Sequence, residues 1–141
     1  METKQSNLPY NLFIGRYQSP HKGHETIFNE YLDKGLPVLI AVRDVPTDLK
    51  NPLTANEVKA LWEKRYAGND LVKVIVIPDV ASVNYGRGVG YEVKEIKVSS
   101  DITAISATEI REQIKEGNPA WKNYVSQDIW EDLHKLFSNA E

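Results

Sequence analysis

The residues with the clearest chemical potential are two histidines, His21 and His24, three positions apart with Gly23 between them. They close the stretch Gly15-Arg16-Tyr17-Gln18-Ser19-Pro20-His21-Lys22-Gly23-His24. If a helix begins near His21, both imidazoles share one face of its first turn. A helix start offers free N–H groups and the positive end of the helix dipole to a phosphate. Two imidazoles there can donate hydrogen bonds as negative charge builds on a transferring phosphoryl group. Gly15 and Gly23 leave room for backbone and nucleotide to approach closely. A metal site is the rival reading. Zinc usually takes three or four protein ligands, and the chain has no cysteine and only one further histidine, His134. No metal site is expected.

A second cluster reinforces the first. Ser106-Ala107-Thr108-Glu109 has the spacing of a capping box, and Arg111 follows one turn into the helix it would open. Hydroxyls and N–H groups at a helix start can hold phosphate oxygens, and a guanidinium adds a forked donor matched to them. Other cations fall near strand ends. Arg43 closes a β-branched run, and Arg87 sits in Tyr85-Gly86-Arg87-Gly88-Val89-Gly90-Tyr91. That glycine spacing is not the dinucleotide fingerprint and reads as a tight turn. Arg43 and Arg87 are candidates either for substrate contact or for salt bridges, and Lys22 and Lys50 for phosphate contact or plain solvation. No Walker sequence is present.

The elements that must position these residues alternate. Leu12-Phe13-Ile14 ending at Gly15, Pro37 to Val42, and Val72 to Ile77 read as buried strands. Between them, Ile27, Phe28, Tyr31 and Leu32 form one helical stripe, and Val58, Leu61, Trp62 and Tyr66 a second. Thr54-Ala55-Asn56-Glu57 caps the second helix, and Gly68 terminates it. Tyr91 to Val98 alternates as a fourth strand, with a very short one at Ser82 to Tyr85. A helix with Ile110 and Ile114 inward ends at Gly117-Asn118-Pro119. Ser126 then caps a last helix carrying Ile129, Trp130, Leu133, Leu136 and Phe137. The pattern predicts a single α/β domain over residues 1–141, Rossmann-like and three-layered, with a mostly parallel sheet of about five strands.

Bulk properties narrow the partners. The chain has 141 residues, 41% hydrophobic, with a net charge of -3, which argues against non-specific nucleic-acid or membrane-surface binding. The polar METKQSN start and the absence of a long apolar run predict a cytoplasmic protein with no membrane segment.

Gly15 to His24 resembles the phosphate-binding signature of the nucleotidyltransferase superfamily: glycine, any residue, an aromatic, three of any, then His-x-Gly-His. The Arg16-Tyr17-Gln18 version looks most like the archaeal-type nicotinamide-mononucleotide adenylyltransferases. Those usually continue with proline, whereas here Ser19 precedes Pro20. Ile105 to Arg111 resembles the family's second signature, and Asn51-Pro52-Leu53-Thr54 the segment before that subgroup's second long helix. The resemblance implies nucleotidyl transfer to a phosphorylated small-molecule acceptor, with pyrophosphate released from a triphosphate, ATP or CTP. It implies His21, His24 and Arg111 as catalytic, and Gly15, Arg16, Tyr17, Gly23, Ser106 and Thr108 as nucleotide-binding. It also implies Mg²⁺ and a homo-oligomer. The stretch from Pro78 to Ala104 looks shorter than in that subgroup, which leaves a cytidylyltransferase acting on a small phospho-alcohol as an alternative. A non-catalytic nucleotide-binding module is the other.

Overall fold

A computed structural model describes residues 8–18, 20–48, 52–86, 90, 92, 93 and 107–138. Three strands carry the sheet: β1 (Asn11–Gly15), β2 (Val38–Asp44) and β3 (Val72–Pro78). Helix α1 (Lys22–Leu32) joins β1 to β2, and α2 (Ala55–Arg65) joins β2 to β3. After them come α3 (Ala107–Glu116), 3-10 turns at Pro119–Asn123 and Gln127–Ile129, and α4 (Trp130–Ser138). The strands are parallel in the order β1-β2-β3. Parallel neighbours need crossover connections, and the two amphipathic helices supply them.

Alternation along the strands decides which face meets the helices. In register, Phe13 pairs with Ile40 and Ile40 with Val74, and one step on Gly15 pairs with Val42 and Val42 with Val76. These residues except Gly15 belong to or pack against the buried core; Leu12, Ile14, Leu39 and Ile75, one residue out of phase, do not. Phe28 of α1 meets Phe13 at 5.1 Å and Trp62 of α2 at 5.2 Å between ring centroids, so both helices cover the same face. Phe28 and Trp62 are buried, and each contributes on the order of 1.5–3 kcal/mol by leaving water. Ile110, Ile114, Ile129, Leu133 and Phe137 extend this core, as their spacing predicts, and Trp121 joins them.

Thr54 caps α2 as expected: its Oγ1 accepts from the Glu57 N–H at 3.1 Å, and Glu57 accepts from the Thr54 N–H at 2.8 Å. Thr54→Ala is expected to lower stability by about 1 kcal/mol in denaturant titration.

Three of the expected five strands stand among the described residues. Ser82 to Tyr85 is not a strand. Val83 and Tyr85 are exposed, leaving a strand no face to bury, and Asn84 bonds locally to Ser82 instead. The expected strand from Tyr91 to Val98 lies outside the described residues except for Glu92 and Val93, neither of which is in a strand. Among the described residues no helix is long and apolar enough to cross a membrane.

Candidate active site

The site begins where β1 runs out. Tyr17 has φ of +51°, a left-handed backbone that a residue with a bulky side chain rarely adopts. This turn brings its ring back over Gly15, where an added Cβ would stand 2.9 Å from Tyr17 Cζ. The ring is also held edge-on by His24 at 5.0 Å, Trp62 at 5.6 Å and Phe28 at 5.9 Å, so it has nowhere to retreat. Glycine at position 15 therefore makes room for a side chain of the loop itself. Gly15→Ala is expected to cost about 1–3 kcal/mol by overpacking, read as a lower thermal midpoint.

Gln18 anchors the loop. Its Nε2 donates to the Leu53 carbonyl at 2.7 Å, and its Oε1 accepts from the Leu53 N–H at 2.8 Å. The amide thus pairs with backbone just before Thr54, coupling the β1 loop to the start of α2.

His21 is the N-cap of α1, and the two histidines form the cap between them. The Gly23 N–H donates to His21 Nδ1 at 3.0 Å, and the His21 N–H donates to His24 Nδ1 at 3.2 Å. This is a capping box with imidazoles in place of a hydroxyl and a carboxylate. The rings stack at 3.9 Å between centroids, 22° apart. Because both Nδ1 atoms accept hydrogen bonds, both rings are held as the neutral tautomer protonated at Nε2. The cap bonds use Nδ1 of each ring, and neither Nε2 has a protein partner among the described residues. Burial pushes the His21 imidazole down to about 4. Burial, helped by the charge His21 would carry, pushes His24 down to about 3. At neutral pH the pair acts as two uncharged donors.

One expectation is corrected. The start of α1 does not present free backbone N–H groups. Lys22 N–H donates to the Tyr124 carbonyl at 2.7 Å, Gly23 N–H to His21 Nδ1, and His24 N–H to the His21 carbonyl at 3.1 Å. The first-turn donors are consumed within the protein, which leaves the imidazoles and the helix dipole to meet an anion.

The other predicted residues fall into three groups. At the strand ends, Arg16 Nη2 reaches the Pro46 carbonyl at 3.4 Å, and Arg43 Nε donates to Asp79 Oδ1 at 3.0 Å. Arg43 is thus a salt-bridge partner across the carboxyl ends of β2 and β3. The Arg43 hydrogen bond and charge hold the Asp79 carboxyl below its ordinary range, with a smaller contribution from Arg16. Lys22 opens α1 with its side chain in solvent. Arg111 lies in α3, and its Nη1 is buried without a hydrogen-bond partner among the described residues. A buried guanidinium nitrogen left unpaired fits a group that awaits an anion. Lys50, Arg87 and Ser106 lie outside the described residues, as does the side chain of Thr108. His134 is exposed on α4 beside Ser138.

Among the described residues no group of three or more His, Cys, Asp or Glu gathers where it could hold an ion. The carboxylate nearest the histidines in sequence, Glu25, is occupied by Arg65 and Ser126. Three residues of this neighbourhood were not singled out by their types. Gln18 sits inside the signature; Trp62 packs edge-on to His24 at 5.8 Å; and Glu25 shares the apolar stripe of Phe28 and Leu32. An acid on a buried face is the one signal that could have found Glu25.

A parallel α/β sheet with a neutral histidine pair after its first strand suits an enzyme that handles phosphates, as the nucleotidyltransferase resemblance implies. No family model matches the chain. Curated relatives do. A nicotinamide-nucleotide adenylyltransferase of Pyrobaculum arsenaticum is 29% identical over 158 aligned positions, taking in 89% of this chain and 87% of the relative. One of Pyrobaculum aerophilum is 29% identical over 84% of this chain and 83% of the relative. One of Pyrococcus furiosus is 25% identical over 89% and 82%. By sequence the chain is similar to the archaeal nicotinamide-nucleotide adenylyltransferases, and the names of these relatives favour adenylyl over cytidylyl transfer.

Proposed function

We propose that the chain transfers an adenylyl group from ATP to a phosphorylated acceptor resembling nicotinamide mononucleotide, releasing pyrophosphate. The observation that carries this reading is the capped pair of neutral imidazoles, whose Nδ1 atoms take the cap bonds and whose Nε2–H groups have no protein partner among the described residues. An acceptor phosphate oxygen attacks the α-phosphorus. The new O–P bond forms as the bond from the α-phosphorus to the bridging oxygen of pyrophosphate breaks, and pyrophosphate takes the electron pair. The nucleophile is already an anion, so no protein base is needed, and the work is positioning and charge stabilisation. His21 and His24 donate to the α-phosphate region. Ser106, Thr108 and Arg111 hold the β- and γ-phosphates, and the unpaired Arg111 Nη1 supports that assignment. Gly15, Arg16, Tyr17 and Gly23 shape the nucleotide side, while Lys22 and Arg87 are candidates for phosphate contact. Because the described residues offer no carboxylate cage, Mg²⁺ belongs to this reading as part of the metal–triphosphate substrate.

The alignment to the Pyrobaculum arsenaticum relative is longer than this chain, so the chain lacks positions that the relative has. The test is a matrix of α-labelled ATP or CTP against nicotinamide mononucleotide and small phospho-alcohols. Label appearing in a dinucleotide from ATP and nicotinamide mononucleotide is the expected result. A preference for CTP and a phospho-alcohol would replace adenylyl with cytidylyl transfer. Triphosphate binding without any transfer would leave a nucleotide-binding module.

A further inference from the structure

Glu25 is the charged side chain buried among the described residues, 4% exposed, and the chemistry above does not use it. It follows His24 directly on α1. Both its oxygens face one hydroxyl: Ser126 Oγ lies 2.6 Å from Oε1 and 2.8 Å from Oε2. Arg65 of α2 closes the triangle, with Nε 2.9 Å from Glu25 Oε1 and 2.9 Å from Ser126 Oγ. The guanidinium also rides over the Tyr66 ring at 4.7 Å, and Asp128 approaches it at 3.8 Å.

Ser126 was expected to cap the last helix. It precedes the 3-10 turn but makes no side-chain cap bond, and its hydroxyl turns to α1 instead. The same short strap reaches α1 a second time, because the Tyr124 carbonyl accepts the Lys22 N–H at 2.7 Å. The strap is itself pinned by Trp130, whose Nε1 donates to the Val125 carbonyl at 2.7 Å. Residues 124–126 therefore hold α1 at two points, Lys22 between the two histidines in sequence and Glu25 directly after His24. Two contacts of this kind fix both the slide and the rotation of a helix turn.

We propose that Glu25 is a positioning residue: through Ser126 and Arg65 it locks the first turn of α1, and with it the His21–His24 pair, to the C-terminal strap. A buried carboxylate is costly unless paired, which makes the triangle close in one arrangement rather than several. The reacting groups of a transfer enzyme lose rate steeply when displaced by about 1 Å. The effect on turnover rests on the transfer reaction proposed above; the effect on the histidines does not.

The experiment compares Ser126→Ala, which removes the strap's hold on Glu25 while leaving the Tyr124–Lys22 bond and the Glu25–Arg65 pair, with Ser126→Thr, which retains the hydroxyl. Ser126→Ala is expected to lower kcat by about tenfold or more with KM for ATP nearly unchanged. It is also expected to move the imidazole titrations of His21 and His24, followed by NMR, towards the ordinary histidine value as water reaches the loosened turn. Ser126→Thr should restore both. A lower thermal midpoint with unchanged kcat and unchanged imidazole titrations would make the triangle merely structural and overturn the proposal. If the unaltered protein transfers nothing, the NMR arm still decides: shifted imidazoles in Ser126→Ala uphold positioning, and unshifted ones end it.

Discussion

Replacing His24 with alanine lowers turnover by on the order of 10²-fold or more, the scale for losing one donor aimed at transition-state charge, and weakens triphosphate binding less. The difference arises because a neutral N–H gains most where negative charge is still building. Alanine also removes structural work. His24 Nδ1 accepts the His21 N–H, and its ring stacks on His21 and meets Tyr17 and Trp62. His24→Asn separates the two effects. Its side-chain oxygen can take over the cap bond at this helix position, while the Nε2–H is gone. Turnover should fall in both variants, and stability should fall mainly in His24→Ala. His134→Ala, on the exposed face of α4, should leave turnover within about twofold, as surface changes usually do. Near-normal turnover in both His24 variants would remove the role assigned to the pair.

The same residue shows how far sequence reading reached. His21 and His24 were identifiable by spacing, and so were the strand before them and the helix they open. Their partnership was not. The separation of His21 and His24 equals that between Thr54 and Glu57, so two capping boxes of equal spacing begin α1 and α2. Thr54 is recognisable as a cap because hydroxyls and carboxylates commonly cap helices, whereas imidazoles by type suggest only ligand donors. That is why backbone N–H groups were expected to be free at α1. Tyr17 illustrates a second limit. Its left-handed backbone and its ring over Gly15 depend on Trp62 and Phe28, which arrive from other elements. Ser126 illustrates a third: local pattern assigned it to the last helix, and a partner 101 residues away claimed it. Strand Ser82 to Tyr85 failed for the opposite reason, since alternation without burial holds nothing.

Stability is expected to fall by about 4 kcal/mol between pH 7 and pH 5 through the histidine pair alone, about 2 kcal/mol for each ring. The sign follows from proton counting. In the unfolded chain an imidazole titrates near 6.5, whereas burial holds His21 down to about 4 and His24 to about 3 in the fold. Between those values the unfolded state binds more protons, so acid favours unfolding. The contribution is fully present above 6.5 and is lost progressively as pH falls toward the folded-state values. Replacing both histidines with asparagine preserves side chains able to accept cap bonds and removes the titration. Denaturant titrations at pH 7, 6 and 5 should therefore show a shallower acid slope for the double variant, by roughly the same 4 kcal/mol. Equal slopes would mean that the imidazoles are as readily protonated in the fold as in water. In that case both imidazoles would titrate near 6.5, a cationic fraction would be present near neutral pH, and the fold would contribute nothing to keeping the pair uncharged.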